Sequence, residues 1–376
     1  MILRPTYIKV NLQVFQDNIK CIRKNLRKDT ELMFVLKDDA YGLGAIELAG
    51  KAIDLGISYF GVSNLQEAIE LREKYRDIHI LLLGYLPVEL YPLALENRIQ
   101  LNLWTLEMAE KLNSLAKEKE RKAEIHISVD TGLSRLGCRG NEDSLQMIQT
   151  ISTMENLEIK GVSSHFARTE TEDDDFSYKQ LSEFLEFTDN LDKLGVKYGL
   201  RHIADSGAIV KFPQSHLDMV RCGALALGSM TGKDILKEEN TYTTKAIFEF
   251  YSQVARVMDV PKDTSVSYDG SYVSKKSIRV VTLPIGYGDG LSYEITGKMK
   301  ALLNGKYMEQ IGEMCMDMLM FDASGIECKQ GDRVTLLGED KGKRISLQDW
   351  SKWSGLSPTF LQAMLRDRIP RIYKNE

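Results

Sequence analysis

The sequence predicts an α/β chain, a (β/α)8 barrel followed by a mainly β C-terminal domain. Over the first 230 or so residues, eight short apolar runs alternate with segments whose apolar residues recur at helical spacing. Beyond about residue 235 the texture changes to longer strand-like runs broken by Gly, Asp and Asn turns. The length of 376 residues exceeds one ordinary compact domain and suits a large barrel with a second domain. The expected division is 1–235 and 236–376, close to GKDILKEENTY.

The barrel strands are expected at 32–37 (LMFVLK), 59–63 (YFGVS), 78–84 (IHILLLG) and 99–104 (IQLNLW). They continue at 124–130 (EIHISVD), 157–165 (LEIKGVSSH), 198–205 (YGLRHIAD) and 219–228 (MVRCGALALG). AIELAGKAIDL, TLEMAEKLNSLAKEKE and KQLSEFLEFTDNLDKL are among the helices between them. Buried strands alternating with helices imply a parallel sheet with helices outside, and eight is the number that closes a barrel. A doubly wound open sheet is the competing architecture. In the second domain, IFEFYSQVARVMDV, SIRVVTLPIGYGDG, KALLNGKYMEQIGEMCMDMLMFDA and DRVTLLGED are strand runs, and SLQDWSKWSGLSPTFLQAMLRD is a helical tail. The charged runs at 117–122 and 172–175 read as solvated helix ends or loops.

Composition narrows the class of function. Hydrophobic residues at 43% and charged residues at 27% are globular values, which exclude a disordered or fibrous chain. The net charge of −5 gives no support to a nucleic-acid surface. Five widely spaced cysteines with no CxxC pair read as reduced thiols of a cytoplasmic protein. The start, MILRPTYIKVNL, lacks the apolar core of a secretory signal, and no run approaches a membrane span.

Barrel chemistry belongs at the C-terminal ends of the strands. Lys37 ends the first strand, where a partly desolvated amine becomes a usable nucleophile or base. On spacing alone, an ion pair with Asp38 or Asp39 at the barrel mouth is the preferred reading. His165 ends the sixth strand and His202 the seventh, followed by Asp205 and Ser206. Arg221 lies inside the eighth, apolar strand and must have a polar partner, because its charge cannot be removed. Ser206 and the Gly223–Ala224 backbone fall where barrels commonly bind phosphate. A lysine, a phosphate site and a buried arginine together suggest pyridoxal phosphate. GYGDG (286–290) lacks the strand-then-helix setting of a nucleotide loop.

These residues fall in nine ordered motifs by which the chain resembles the alanine racemases. They are VLKDDAYGLG (35–44), VDTGLSRLG (129–137), SSHFA (163–167), HIADS (202–206), DMVRCGALALG (218–228), SYDGSY (267–272), PIGYGDG (284–290), CMDM (315–318) and RIPR (368–371). The resemblance implies an amino-acid racemase dependent on pyridoxal 5'-phosphate, with a barrel and a C-terminal β-domain. Lys37 would hold the cofactor as a Schiff base, with Tyr41, Ser206, Gly223 and Ala224 around its phosphate. Arg221, supported by His202, would face the pyridine nitrogen and keep it unprotonated, which weakens the electron sink and suppresses side reactions. Arg135 would face the phenolic oxygen and the substrate carboxylate. Racemisation needs an acid–base group on each face of Cα, here Lys37 and Tyr272, with His165 beside the tyrosine. Tyr272 and the Met316 amide would come from the second subunit of a homodimer. Asp317, Asp367 and Tyr287 complete the expected substrate pocket, and no metal is expected.

Four departures from the family pattern bear on the substrate. Ser128 stands where a carbamylated lysine is common, so a bound chloride or water is expected beside Arg135. Asp367 replaces the tyrosine before the Arg-x-Pro-Arg signature, Asp38 an alanine, and Glu313 an arginine. All three make the region more acidic. A polar or basic amino acid such as serine, lysine or ornithine is therefore expected besides, or instead of, alanine. The competing activities are a basic amino-acid decarboxylase of the same fold and a non-catalytic pyridoxal-phosphate carrier. Arg221 argues against the first; Tyr272 and the second domain argue against the other.

Overall fold

The computed structural model describes residues 3–171, 173–230 and 242–375. The chain forms two compact units. The first comprises the described residues of Gln16–Ala40 and Ala45–Thr244. Its strands are β1 (Glu31–Val35), β2 (Tyr59–Val62), β3 (His79–Leu82) and β4 (Gln100–Leu103). They are followed by β5 (Ala123–Asp130), β6 (Leu157–Ser163), β7 (Leu200–His202) and β8 (Met219–Cys222). All pair in parallel in the order β8-β1-β2-β3-β4-β5-β6-β7. Two backbone hydrogen bonds, Asp218 N to Arg201 O (3.2 Å) and Arg221 N to Ala204 O (3.0 Å), join β7 to β8 and bring the ring to near closure. The barrel is the architecture, and the open sheet is excluded.

The strands are covered on both faces, so Phe34, Phe60, Ile80, Ile125 and Val162 are fully buried. The surrounding helices start where a side chain satisfies a free amide. Asn64 accepts from Glu67 N, Thr105 from Met108 N, and Asn141 from Ser144 N. Two strands are shorter than the sequence suggests. The run 219–228 leaves the sheet after Cys222, and Ala224–Leu227 is a helical turn ending on Gly228 at φ 68°. The run 198–205 pairs only over Leu200–His202, because Asp205 caps the helix Ser206–Lys211. Between β5 and β6 the register shifts, with His126 facing Gly161 rather than Lys160, so Lys160 is bulged out.

The second unit contains residues up to Phe15, Tyr41–Gly44 and the chain from Lys245. Its main sheet runs Arg256–Val260, Ile278–Leu283, Leu319–Asp322, Lys306–Ile311, Lys300–Leu303, Arg333–Asp340, Phe248–Gln253, Tyr7–Asn11 and Arg371–Lys374. The hairpin at 304–305 carries Asn304 at φ 53° and Gly305 at φ 76°, as a tight two-residue turn requires. The helical tail is two helices, Leu347–Ser354, capped by Ser346 and Asp349, and Pro358–Ala363, capped by Ser357. Tyr7–Asn11, which the sequence groups with the barrel, is a strand of this second sheet: its alternating burial suits a sheet with one face covered. The expected boundary at 235/236 lies outside the described residues. Among the described residues no helix is long and apolar enough to cross a membrane.

Candidate active site

β1 ends at Val35, and Lys37 opens a six-residue helical turn, Lys37–Gly42, instead of closing the strand. Asp38, Asp39, Ala40 and Tyr41 have φ of 54°, 52°, 54° and 56°, so the turn is left-handed. At 1–2 kcal/mol for each L-residue, four of them cost on the order of 4–8 kcal/mol. Neighbouring groups must hold it. The Glu67 carboxylate accepts from Asp38 N (2.8 Å), Ser63 N (2.8 Å) and Ser63 Oγ (3.1 Å). Asp39 Oδ1 accepts from Ala45 N at 2.7 Å. Within the second unit, Arg371 donates to Gly42 O through Nε (3.0 Å) and Nη2 (2.8 Å), and Gln362 Nε2 donates to Tyr41 O (3.1 Å). Asp38 is exposed, and Asp39 bonds the backbone.

At the C-terminal ends of β6, β7 and β8 the structure brings His165, His202 and Arg221 together. Arg221 Nη1 donates to His202 Nδ1 (2.7 Å) and His202 O (3.1 Å). Its Nη2 donates to Ser164 O (2.7 Å), Ile203 O (3.0 Å) and His165 Nδ1 (3.0 Å). The Nε–H makes no hydrogen bond among the described residues. Burial lowers the Arg221 value to about 10, with Asp205 opposing, so the guanidinium stays charged at neutral pH. Burial, then the Arg221 charge, hold His202 well below the ordinary imidazole value. For His165, burial and the charges of Arg221, Arg135 and Lys37 act the same way. Both imidazoles are therefore neutral and can accept from the arginine.

The Ser206 hydroxyl accepts from Gly223 N (3.0 Å) and Leu225 N (3.2 Å), so three of the expected phosphate-site positions lie within one loop-and-turn cluster. Arg135 is exposed and makes no hydrogen bond or ion pair among the described residues. No group of three or more His, Cys, Asp or Glu suited to a metal is found among the described residues.

The remaining site residues lie in the second unit. Tyr272 opens the two-residue strand Tyr272–Val273, paired with Ser265–Val266, and packs on Val260, Val266, Ile278, Val280 and Ile311. Partial burial, with the Asp322 charge, raises its hydroxyl above the ordinary tyrosine value. PIGYGDG and CMDM interlock: Tyr287 N donates to Cys315 O (3.2 Å) and Gly288 N to Met316 O (2.8 Å). A Cβ on Gly286 would meet Cys315 O at 2.0 Å. Asp317 accepts from Arg368 Nη2 (2.8 Å), and buried Asp289 binds Arg4 and, at 3.1 Å, Arg368 Nε. Asp289 thus gives GYGDG a structural role. The Met316 N–H makes no hydrogen bond among the described residues. Asp367 is exposed. Asp269, Glu313, Tyr268, Tyr287 and Tyr293 line a cavity of about 610 Å³, in which the Tyr293 hydroxyl donates to Glu313 at 2.5 Å.

Sequence reasoning missed Glu67, Gln100, His126 and Leu225. Gln100 and His126 had a signal of the kind that exposed Arg221: each is a polar residue inside an apolar strand run. Glu67 had none, because a carboxylate in a first helical turn is ordinary.

Two family models match the chain: the alanine racemase N-terminal domain over residues 10–231 and the alanine racemase C-terminal domain over residues 247–373. An alanine racemase from Clostridium perfringens is 34% identical over 373 residues, spanning 99% of this chain and 96% of that protein. The solved alanine racemase of Clostridium difficile 630 superposes with a TM-score of 0.95 at 31% identity, covering 100% of this chain and 98% of that one. A histidine racemase from Leuconostoc mesenteroides subsp. sake gives a TM-score of 0.91 at 27% identity, covering 99% and 98%.

Proposed function

The chain belongs to the alanine racemase family and is an amino-acid racemase, and on that premise we propose that it works with pyridoxal 5'-phosphate in a cytoplasmic homodimer. The observation that carries the cofactor assignment is Arg221. Its two terminal nitrogens are committed to His202, His165 and three backbone carbonyls, while its Nε–H is not. A buried, permanently protonated donor suits an unprotonated ring nitrogen. A decarboxylase of this architecture needs a carboxylate there instead. When bound, the cofactor supplies an electron sink that makes the substrate Cα–H acidic.

The chain's own groups then have separable tasks. Lys37 carries the cofactor and takes or returns the Cα proton on one face. Tyr272 does so on the opposite face. Its raised value within one chain means that nearby positive charge is required before it acts as a base. Tyr41, Ser206, Gly223 and Ala224 hold the phosphate by hydroxyl and amide donors. Arg135 and the uncommitted Met316 N–H bind the substrate carboxylate. Tyr287 and Asp317 shape the pocket, and the Asp317–Arg368 ion pair steadies it.

A homodimer accounts for the exposure of Tyr268, Tyr293, Met316 and Met318 on the second unit. Mixing inactive Lys37→Ala and Tyr272→Phe dimers tests it. If each site draws Lys37 from one subunit and Tyr272 from the other, random exchange restores about a quarter of wild-type activity. No recovery on exchange overturns the shared site. The cytoplasmic assignment draws on five widely spaced cysteines with no CxxC pair, read as thiols.

For the substrate, we read the site as favouring a polar or basic side chain. Support comes from Asp367, from the acidic and tyrosyl lining around Glu313, and from the histidine racemase among the similar structures. The test is kcat/KM for alanine, serine, histidine, lysine and ornithine in wild type and Asp367→Tyr, followed by chiral chromatography. Asp367→Tyr should shift preference toward alanine by about tenfold or more. Equal alanine preference in both proteins refutes the side-chain assignment, and carbon dioxide release or no turnover of any amino acid refutes the function.

A further inference from the structure

Behind Arg221 a line of polar side chains runs down the barrel, away from the mouth. His202 Nε2 lies 2.9 Å from His126 Nδ1, and His126 Nε2 lies 3.2 Å from Gln100 Oε1. Gln100 Nε2 donates to Glu124 Oε2 at 2.8 Å, and Lys160 Nζ stands 3.3 Å from Glu124 Oε1. His126, His202 and Gln100 are each 0% exposed. They lie inside the barrel, where an unsatisfied polar group is costly.

The two ends of the line determine the protons between them. A guanidinium only donates and an ionised carboxylate only accepts. Arg221 Nη1–H therefore requires a lone pair on His202 Nδ1, which leaves the His202 proton on Nε2. That proton requires a lone pair on His126 Nδ1, so the His126 proton is also on Nε2, directed at Gln100 Oε1. The Gln100 amide then donates to Glu124. One arrangement satisfies all four bonds, with every hydrogen directed from Arg221 toward Glu124. A proton added to either imidazole would set two donors face to face and break the line.

The backbone makes room for it. A Cβ on Gly161 would lie 2.5 Å from His126 Nδ1, so glycine is required where the His126 ring meets its partner. The bulge at Lys160 sets Gly161 opposite His126 and leaves the lysine beside Glu124.

We propose that His126, Gln100 and Glu124 are positioning residues for Arg221, a one-directional hydrogen-bond line that locks His202 in its Nε2–H form and so aims the guanidinium into the active site. This rests on Arg221 serving the cofactor, but the line itself is observable without it. In ¹⁵N-histidine-labelled holoenzyme, nitrogen spectra should show neutral Nε2–H tautomers for both histidines, with a coupling across the His202–His126 hydrogen bond. His126→Leu should lower kcat by about tenfold or more while KM changes less than about threefold, and should shift the pH dependence of the cofactor absorption band. His126→Gln keeps an acceptor and a donor in line and should recover most of that loss. An Nδ1–H tautomer or an imidazolium at either residue overturns the line. Unchanged kcat and absorption in His126→Leu, or no recovery in His126→Gln, overturns its effect on Arg221. If His126→Leu does not fold, the wild-type spectra and His126→Gln still decide.

Discussion

Replacing Glu67 by alanine should disarm the lysine turn without unfolding the barrel. The carboxylate accepts two amides and one hydroxyl, all between 2.8 and 3.1 Å. Charge-assisted hydrogen bonds contribute about 1.5–3 kcal/mol each when buried, and partial exposure reduces the set to about 3 kcal/mol in all. That is comparable to the strain of on the order of 4–8 kcal/mol in four left-handed residues. Losing it brings the turn close to balance with ordinary backbone, and Lys37 moves with it. A displacement of about 1 Å at a reacting group costs roughly 100-fold, so kcat should fall between about 10- and 100-fold. Unfolding free energy should fall by no more than about 3 kcal/mol, because the turn can relax locally. Glu67→Gln retains one accepting oxygen and should fall between. Initial rates by chiral chromatography, cofactor retention after dialysis and urea midpoints measure the three effects. Wild-type kcat and retention in Glu67→Ala, whatever its stability, would refute the reasoning.

The remaining expectations are simpler. His126 is held to about 3, and His165 and His202 well below the imidazole value, in each case chiefly by burial. The unfolded chain therefore takes up their protons first: this stability is complete above pH ~6.5 and lost as pH falls below it, by up to about 4 kcal/mol per pH unit for three groups. Urea unfolding between pH 7 and 5 should show it, His126→Gln should flatten the slope by about a third, and an unaltered slope in that variant contradicts the assignment. Arg371 donates to four backbone carbonyls, those of Gly42, Leu365, Arg366 and Ile369. Arg371→Lys cannot span them and should cost about 2–4 kcal/mol by urea denaturation; a loss under ~0.5 kcal/mol contradicts this. We further propose that an anion or water, rather than a charged side chain, faces Arg135 beside Ser128: bromide-soaked crystals should show an anomalous peak between them, or an ordered water in halide-free crystals; a map with neither removes the idea.

All eight barrel strands could be read from the sequence because a strand buried on both faces is a continuous apolar run. Their ends were less legible. LALG after Cys222 is as apolar as a strand, and only Gly228 at positive φ marks the helical turn there. Tyr7–Asn11 has the alternation of a strand, but nothing local says which sheet it joins. The candidate site was legible where an unusual residue interrupts or follows an apolar run, as at Arg221 and Lys37. It was not legible where ordinary residues hold unusual geometry. Glu67 looks like any carboxylate near a helix start, and left-handed φ at Asp38 and Tyr41 leaves no mark in composition. Pairings across the barrel, such as His126 with His202, are 76 residues apart in the chain and follow from closure of the ring.

The strand Tyr7–Asn11 lies between Phe248–Gln253, to which it is antiparallel, and Arg371–Lys374, to which it is parallel. During synthesis the order of events is thereby constrained. The barrel can form once β8 has emerged, but Tyr7–Asn11 is made before both of its partner strands and must wait for them before its sheet is complete. Until those strands are made its edges stay unpaired, and its lysine at position 9 is a charge well placed to discourage premature pairing. For the same reason the β unit is not a separable cassette. A fragment from Lys245 onward would lack the strand joining its own first and last strands, so grafts between relatives must carry the N-terminal segment with the C-terminal one.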